Sequence, residues 1–116
     1  MQLKIYYIDD EELLCENFAD HFESDKVVVT TFTDTQVAVA AIKKSPPDLL
    51  FIDFRMPGTT GDEIAKIIDP KIPKFLITGD LSVDPEYTFD KIFPKPYDES
   101  KIFELINFYL SQKISC

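Results

Sequence analysis

The pair Asp9-Asp10 and the single Asp53 each follow a strand-like stretch, Leu3 to Ile8, rich in aromatic and β-branched residues, in the first case and the apolar run Leu49-Leu50-Phe51-Ile52 in the second. Carboxylates in such places are costly to bury unless a strand delivers them to the edge of a sheet. Three of them close together repel one another, raise one another's pKa and call for a counter-ion; hard oxygen ligands with a few waters suit Mg2+. One oxygen of Asp53 then remains free to attack phosphorus and form an acyl phosphate. The other phosphoryl oxygens need donors, and Lys95 and Thr78 offer a point charge and a hydroxyl.

The elements that would bring these residues together follow from the pattern of apolar residues. Leu49 to Ile52 has no polar alternation and is bounded by turn residues, which predicts a strand covered on both faces. Leu3–Ile8, Lys26–Phe32, Lys74–Thr78 and Lys91–Phe93 are rich in β-branched and aromatic residues and predict four more strands. Helices are predicted between them. The first carries Leu13, Leu14, Phe18 and Phe22, the second spans Thr35 to Lys44 behind an Asp34 cap, and a short third runs from Glu63 to Ile68. Asp98 caps the last, which carries Ile102, Phe103, Leu105, Ile106, Tyr109 and Leu110. Between Leu81 and Asp90 only a single turn at Asp84-Pro85-Glu86-Tyr87 is expected. Strands alternating with helices predict an α/β fold, a doubly wound five-stranded parallel sheet with helices on both faces. Such folds bind ligands at the carboxyl edge, where Asp9, Asp10, Asp53, Thr78 and Lys95 would meet.

Composition bounds the alternatives. The 116 residues are expected to form one domain, residues 1–116, and no apolar run approaches the roughly 18 residues that span a bilayer. The amino end lacks a signal-peptide pattern, and Cys15 and Cys116 make neither a disulfide framework nor a metal knuckle. A cytoplasmic protein is the expectation. Twelve basic against twenty-one acidic residues give a net charge of -9, which argues against nucleic acid and anionic membrane as partners.

Ile8-Asp9-Asp10-Glu11, Asp53-Phe54-Arg55-Met56-Pro57-Gly58 through Gly61, Thr78-Gly79 and Lys95-Pro96 together resemble the receiver domain of two-component response regulators, over essentially the whole chain. The resemblance implies that Asp53 accepts a phosphoryl group from a histidine kinase or a histidine phosphotransfer protein. It implies that Asp10 and Asp53 ligate Mg2+ directly, Asp9 acts largely through water, and the backbone carbonyl of Arg55 completes the protein's share. Thr78 and Lys95 would bind the phosphoryl group, with a cis peptide between Lys95 and Pro96.

Three departures bear on output. The position where the family places a switching Tyr or Phe is Ile92, beside which Phe93 is a candidate to compensate. The intervals from Gly61 to Thr78 and from Thr78 to Lys95 are short, which predicts a fourth helix shortened or absent. Arg55 and Asp80 flank the route of attacking water and are expected to tune the phosphate's lifetime. His21 lacks an evident partner and is expected on a helix surface. The expected function is therefore a single-domain response regulator, with no enzyme activity beyond its own phosphorylation and dephosphorylation, that signals to an unknown downstream protein. The rivals are a receiver-like scaffold that binds without phosphorylation, and a small phosphohydrolase of the haloacid-dehalogenase type. The latter normally needs an Asp-x-Asp nucleophile motif that Asp9-Asp10 does not provide.

Overall fold

The computed structural model describes residues 2–80 and 82–115; Met1, Leu81 and Cys116 lie outside the described residues. In chain order the elements are β1 (Leu3–Ile8), α1 (Glu12–Phe22), β2 (Val27–Phe32), α2 (Thr35–Lys44), β3 (Leu49–Asp53), β4 (Arg55–Met56), β5 (Thr59–Thr60), α3 (Gly61–Ile67), β6 (Lys74–Thr78), β7 (Lys91–Pro94) and α4 (Glu99–Ser115). Five of the strands form one parallel sheet in the order β2-β1-β3-β6-β7. The predicted α/β class and five-stranded parallel sheet are therefore present.

Alternation along the strands divides the core in two. Leu3, Ile5, Tyr7, Phe51, Phe75 and Phe93 face one side with Phe18 and Phe22 of α1 and Ile102 and Ile106 of α4. Tyr6, Ile8, Leu50, Ile52 and Leu76 face the other with Ala38 and Ile42 of α2 and Ile64 and Ala65 of α3. Every residue of β3 is buried, as its unbroken apolar run predicts for a strand between two neighbours. The register sets Ile52 beside Ile8 on one side and Leu76 on the other, so the ends of β1, β3 and β6 emerge together.

Several boundaries differ from the sequence expectation. The helix after β5 starts at Gly61 rather than Glu63, because the Thr60 hydroxyl accepts the Glu63 amide as an N-cap. The last helix continues past Leu110 to Ser115, and Lys113 there holds both carboxylate oxygens of Asp48 at 3.0 and 3.1 Å. Asp34 caps α2 as expected, accepting from the Gln36 and Val37 amides at 2.8 and 3.2 Å. The pairing of β4 with β5 around Gly58, whose φ is 77°, was not foreseen.

Among the described residues there are four helices, and 82–90 contributes none of them, not even the single turn expected at Asp84 to Tyr87. An irregular strap with a turn and bends lies there instead. Asp62 Oδ2 accepts the Glu86 amide at 2.7 Å, Lys66 pairs with Glu86, and Phe89 is buried in the second core. Asp90 exchanges hydrogen bonds with the Lys74 backbone, its amide donating to the carbonyl at 2.9 Å and its carboxylate accepting the Lys74 amide at 2.8 Å. Beneath the strap the Lys74 side chain is fully buried. Its ammonium donates to the Asp69 and Ile72 carbonyls at 2.7 and 2.9 Å and lies 5.5 Å from the Tyr87 ring centroid. Two carbonyls just beyond the end of the short α3 thus share a buried charged donor, with an aromatic face beside it.

Candidate functional site

The carboxyl edge of the sheet gathers the acidic residues. Asp9, one residue beyond β1, has no exposed surface. Its Oδ2 accepts from the Tyr7 hydroxyl at 2.6 Å and from Lys95 Nζ at 2.9 Å, and its Oδ1 accepts the Glu11 amide at 3.0 Å. Cys15 adds a thiol donor to the Asp9 carbonyl at 3.2 Å. Burial pushes the Cys15 thiol up to about 11, so it stays protonated at neutral pH. Burial, reinforced by the Asp9 hydrogen bond, moves the Tyr7 phenol upward as well, fixing it as a donor.

Asp53 ends β3 and is 7% exposed. Its Oδ1 accepts from Lys95 Nζ at 2.9 Å, while Oδ2 accepts no hydrogen bond among the described residues. Burial raises its pKa, and the charges of Asp9 and Asp10 add to the effect against the opposing pull of Lys95. Asp10 is exposed. One carboxylate oxygen from each of Asp9, Asp10 and Asp53 can be chosen so that all three lie within 4.8 Å of one another. Hard oxygen donors at that spacing, one of them on a carboxylate whose charge is disfavoured, fit a magnesium ion.

Lys95 follows β7, and the peptide joining it to Pro96 is cis. Its amide donates to the Thr78 carbonyl at 2.9 Å, which turns the side chain across the strand ends. Burial works against the Lys95 charge, but the hydrogen bonds to Asp53 and Asp9 outweigh it and hold the ammonium above its usual pKa. Thr78, 4% exposed, closes β6, and its hydroxyl accepts the Asp80 amide at 3.1 Å. Arg55 is exposed and donates to Asp80 Oδ2 at 2.9 Å, so the two residues expected to flank the water route form an ion pair across the mouth.

Ile92 is 46% exposed, whereas Phe93 is 2% exposed and packs against Phe51. Phe93 is therefore a core residue and does not replace the missing aromatic at the surface. His21 is not unpartnered: Nδ1 meets the Tyr97 hydroxyl at 2.9 Å and Nε2 meets Glu99 at 3.1 Å. His21, Tyr97 and Glu99 also line, with Tyr7, Leu14 and Lys95, an open cavity of about 550 Å³ between α1 and the start of α4. Of the residues touching the acidic cluster, Tyr7 and Cys15 escaped the sequence reading. The position of Tyr7 two residues before Asp9, and so on the same face of the strand, is the signal that could have found it.

Comparison with known proteins adds to this geometry. The family model described as response regulator receiver domain matches residues 5–107. The transcriptional regulatory protein BtsR of Escherichia coli K12 is 28% identical over 108 residues, covering 86% of this chain and 45% of that protein. The chain thus spans less than half the length of that relative. In structure, the CheY-like receiver domain from Methylobacillus flagellatus has a TM-score of 0.82 at 18% identity, covering 92% of this chain and 98% of that one. The signal receiver domain of an HD domain-containing protein from Pseudomonas fluorescens Pf-5 has a TM-score of 0.84 at 17% identity, with both chains covered in full.

Proposed function

We propose, from the premise that the chain belongs to the response regulator receiver domain family, that it is a phosphoryl-accepting switch with Asp53 as acceptor. The observation that carries this reading is Lys95 Nζ placed 2.9 Å from both Asp9 and Asp53 at the mouth of the sheet. Lys95 occupies Asp53 Oδ1, which leaves Oδ2 as the attacking oxygen. As its bond to phosphorus forms, the P–N bond of a partner's phosphohistidine breaks and the electron pair leaves with the imidazole.

Asp10 and Asp53, with Asp9 through water and the Arg55 carbonyl, would hold Mg2+; when bound it neutralises charge on the phosphoryl oxygens. Lys95 passes from Asp53 to a phosphoryl oxygen while Asp9 keeps hold of it. The Thr78 hydroxyl donates to a second oxygen, which it can do while still accepting the Asp80 amide. Arg55 and Asp80 tune hydrolysis by screening Asp53 from water. Residues 1–116 act as the receiver unit in the cytoplasm, with a histidine kinase or histidine phosphotransfer protein as donor. The signal passes to a downstream protein, by contact rather than through nucleic acid or membrane.

The exposed Ile92 and the strap favour a second reading, a scaffold that binds its partner without phosphorylation. Intact-mass spectrometry after incubation with Mg2+ and acetyl phosphate separates the two. One added phosphoryl group, missing from Asp53→Asn, is the expected result. No adduct, together with no spectral response to beryllium fluoride, would leave the scaffold reading in place.

A further inference from the structure

Tyr7 lies inside β1, two residues before Asp9, and only 1% of it is exposed. Its ring stacks on Phe18 with centroids 4.4 Å apart and planes 12° off parallel, so the hydroxyl has a fixed direction. That hydroxyl reaches Asp9 Oδ2 at 2.6 Å, the oxygen that also takes Lys95 Nζ at 2.9 Å. Asp9 has no contact with solvent. Its charge is met only by what the protein supplies, or by a cation at the cluster.

We propose that Tyr7 is a positioning residue that sets the magnesium affinity of the acidic cluster by occupying Asp9, an inference that rests on the magnesium reading above. A carboxylate offers about four lone-pair sites. On Asp9 the Tyr7 hydroxyl and Lys95 fill both sites of Oδ2, and the Glu11 amide fills one on Oδ1. One site on Oδ1 is left for the metal or its water. Tyr7 thus makes Asp9 chiefly the counter-ion of Lys95 and weakens its pull on the metal.

The consequence has a sign. Without the hydroxyl, Asp9 is a less well-solvated buried anion in the metal-free protein, and a cation relieves more of that penalty than it does in the wild type. Tyr7→Phe keeps the ring and its stack on Phe18. It should lower the thermal midpoint without Mg2+, lower it less in saturating Mg2+, and tighten Mg2+ binding roughly three- to tenfold by calorimetry. A purely structural role for Tyr7 would lower both midpoints equally.

A second measurement uses the wild type alone. The chain has five tyrosines and no tryptophan, so a Mg2+ titration can be followed in the tyrosine near-ultraviolet difference spectrum. A perturbation that saturates with the calorimetric binding curve is expected. Wild-type Mg2+ binding with unchanged or weaker binding in Tyr7→Phe overturns the inference. Should that variant not fold, a wild-type titration without tyrosine perturbation overturns it instead. A wild type that binds no Mg2+ removes both this inference and the magnesium reading.

Discussion

Asp80 receives the Ser82 hydroxyl at 2.5 Å, the Ser82 amide at 3.0 Å and the Arg55 guanidinium at 2.9 Å. These donors, the hydroxyl first, lower its carboxyl from 3.8 to about 2. A lowered acid contributes stability that is fully present above the ordinary value and is lost as pH falls through the folded one. The Arg55–Asp80 clasp should therefore persist at pH 4 and open toward pH 2, with a side-chain carboxyl NMR midpoint near 2; a midpoint at 3.8 would contradict the geometry. Asp53 has the opposite sign. Its raised pKa means that the metal-free fold disfavours its charge, so Asp53→Asn should raise the thermal midpoint by a few degrees in the absence of Mg2+. Scanning calorimetry with and without Mg2+ checks this, and the advantage should vanish with the metal. Asp9, Asp53, Thr78 and Lys95 could be placed from sequence because each follows or closes a run that can only be a strand. Tyr7 and Lys74 could not. An aromatic in a strand reads as packing and a lysine at its start reads as solvent, until the opposite element supplies a partner for the polar tip.

The loop from Asp53 to α3 depends on one missing side chain. A Cβ at Gly61 would lie 2.8 Å from the Asp53 carbonyl oxygen and 3.1 Å from Leu76 Cδ1. Gly61→Ala should cost about 1–3 kcal/mol in urea unfolding and shift the backbone that carries Asp53. Under the strap, Lys74→Met keeps the apolar stem but leaves the Ile72 carbonyl unpaired and the Asp69 carbonyl with only the Ile72 amide, for an expected loss of about 1–3 kcal/mol. Lys91→Met on the exposed edge of β7 should stay within about 0.5 kcal/mol of the wild type. The five sheet strands and the second helix were legible because period and caps agree locally with the fold. The strap was not. Its conformation is set by Asp62, Lys74 and the second core, none of them near it in sequence, and the short Thr78 to Lys95 interval foretold only that a full helix would not fit.

At the scale of the molecule, the Cα radius of gyration of 13.2 Å is close to the roughly 13 Å of a compact chain of this length. The charge of -9 should prevent DNA binding at physiological salt, so electrophoretic retardation that falls as salt rises would contradict the partner assignment. The strap sets a different property of the whole. Its backbone is tied down at few points, chiefly the Glu86 and Asp90 amides, while β6 and β7 are paired along the Phe75 to Thr78 register. A cut in the strap therefore leaves that ladder and both cores to keep the pieces together. One piece would carry Asp9, Asp10, Asp53 and Thr78, and the other Lys95 with the last helix. The molecule is divisible into a part that carries the acidic cluster and a part that carries its lysine, which as separate polypeptides would complete the site only when they rejoin.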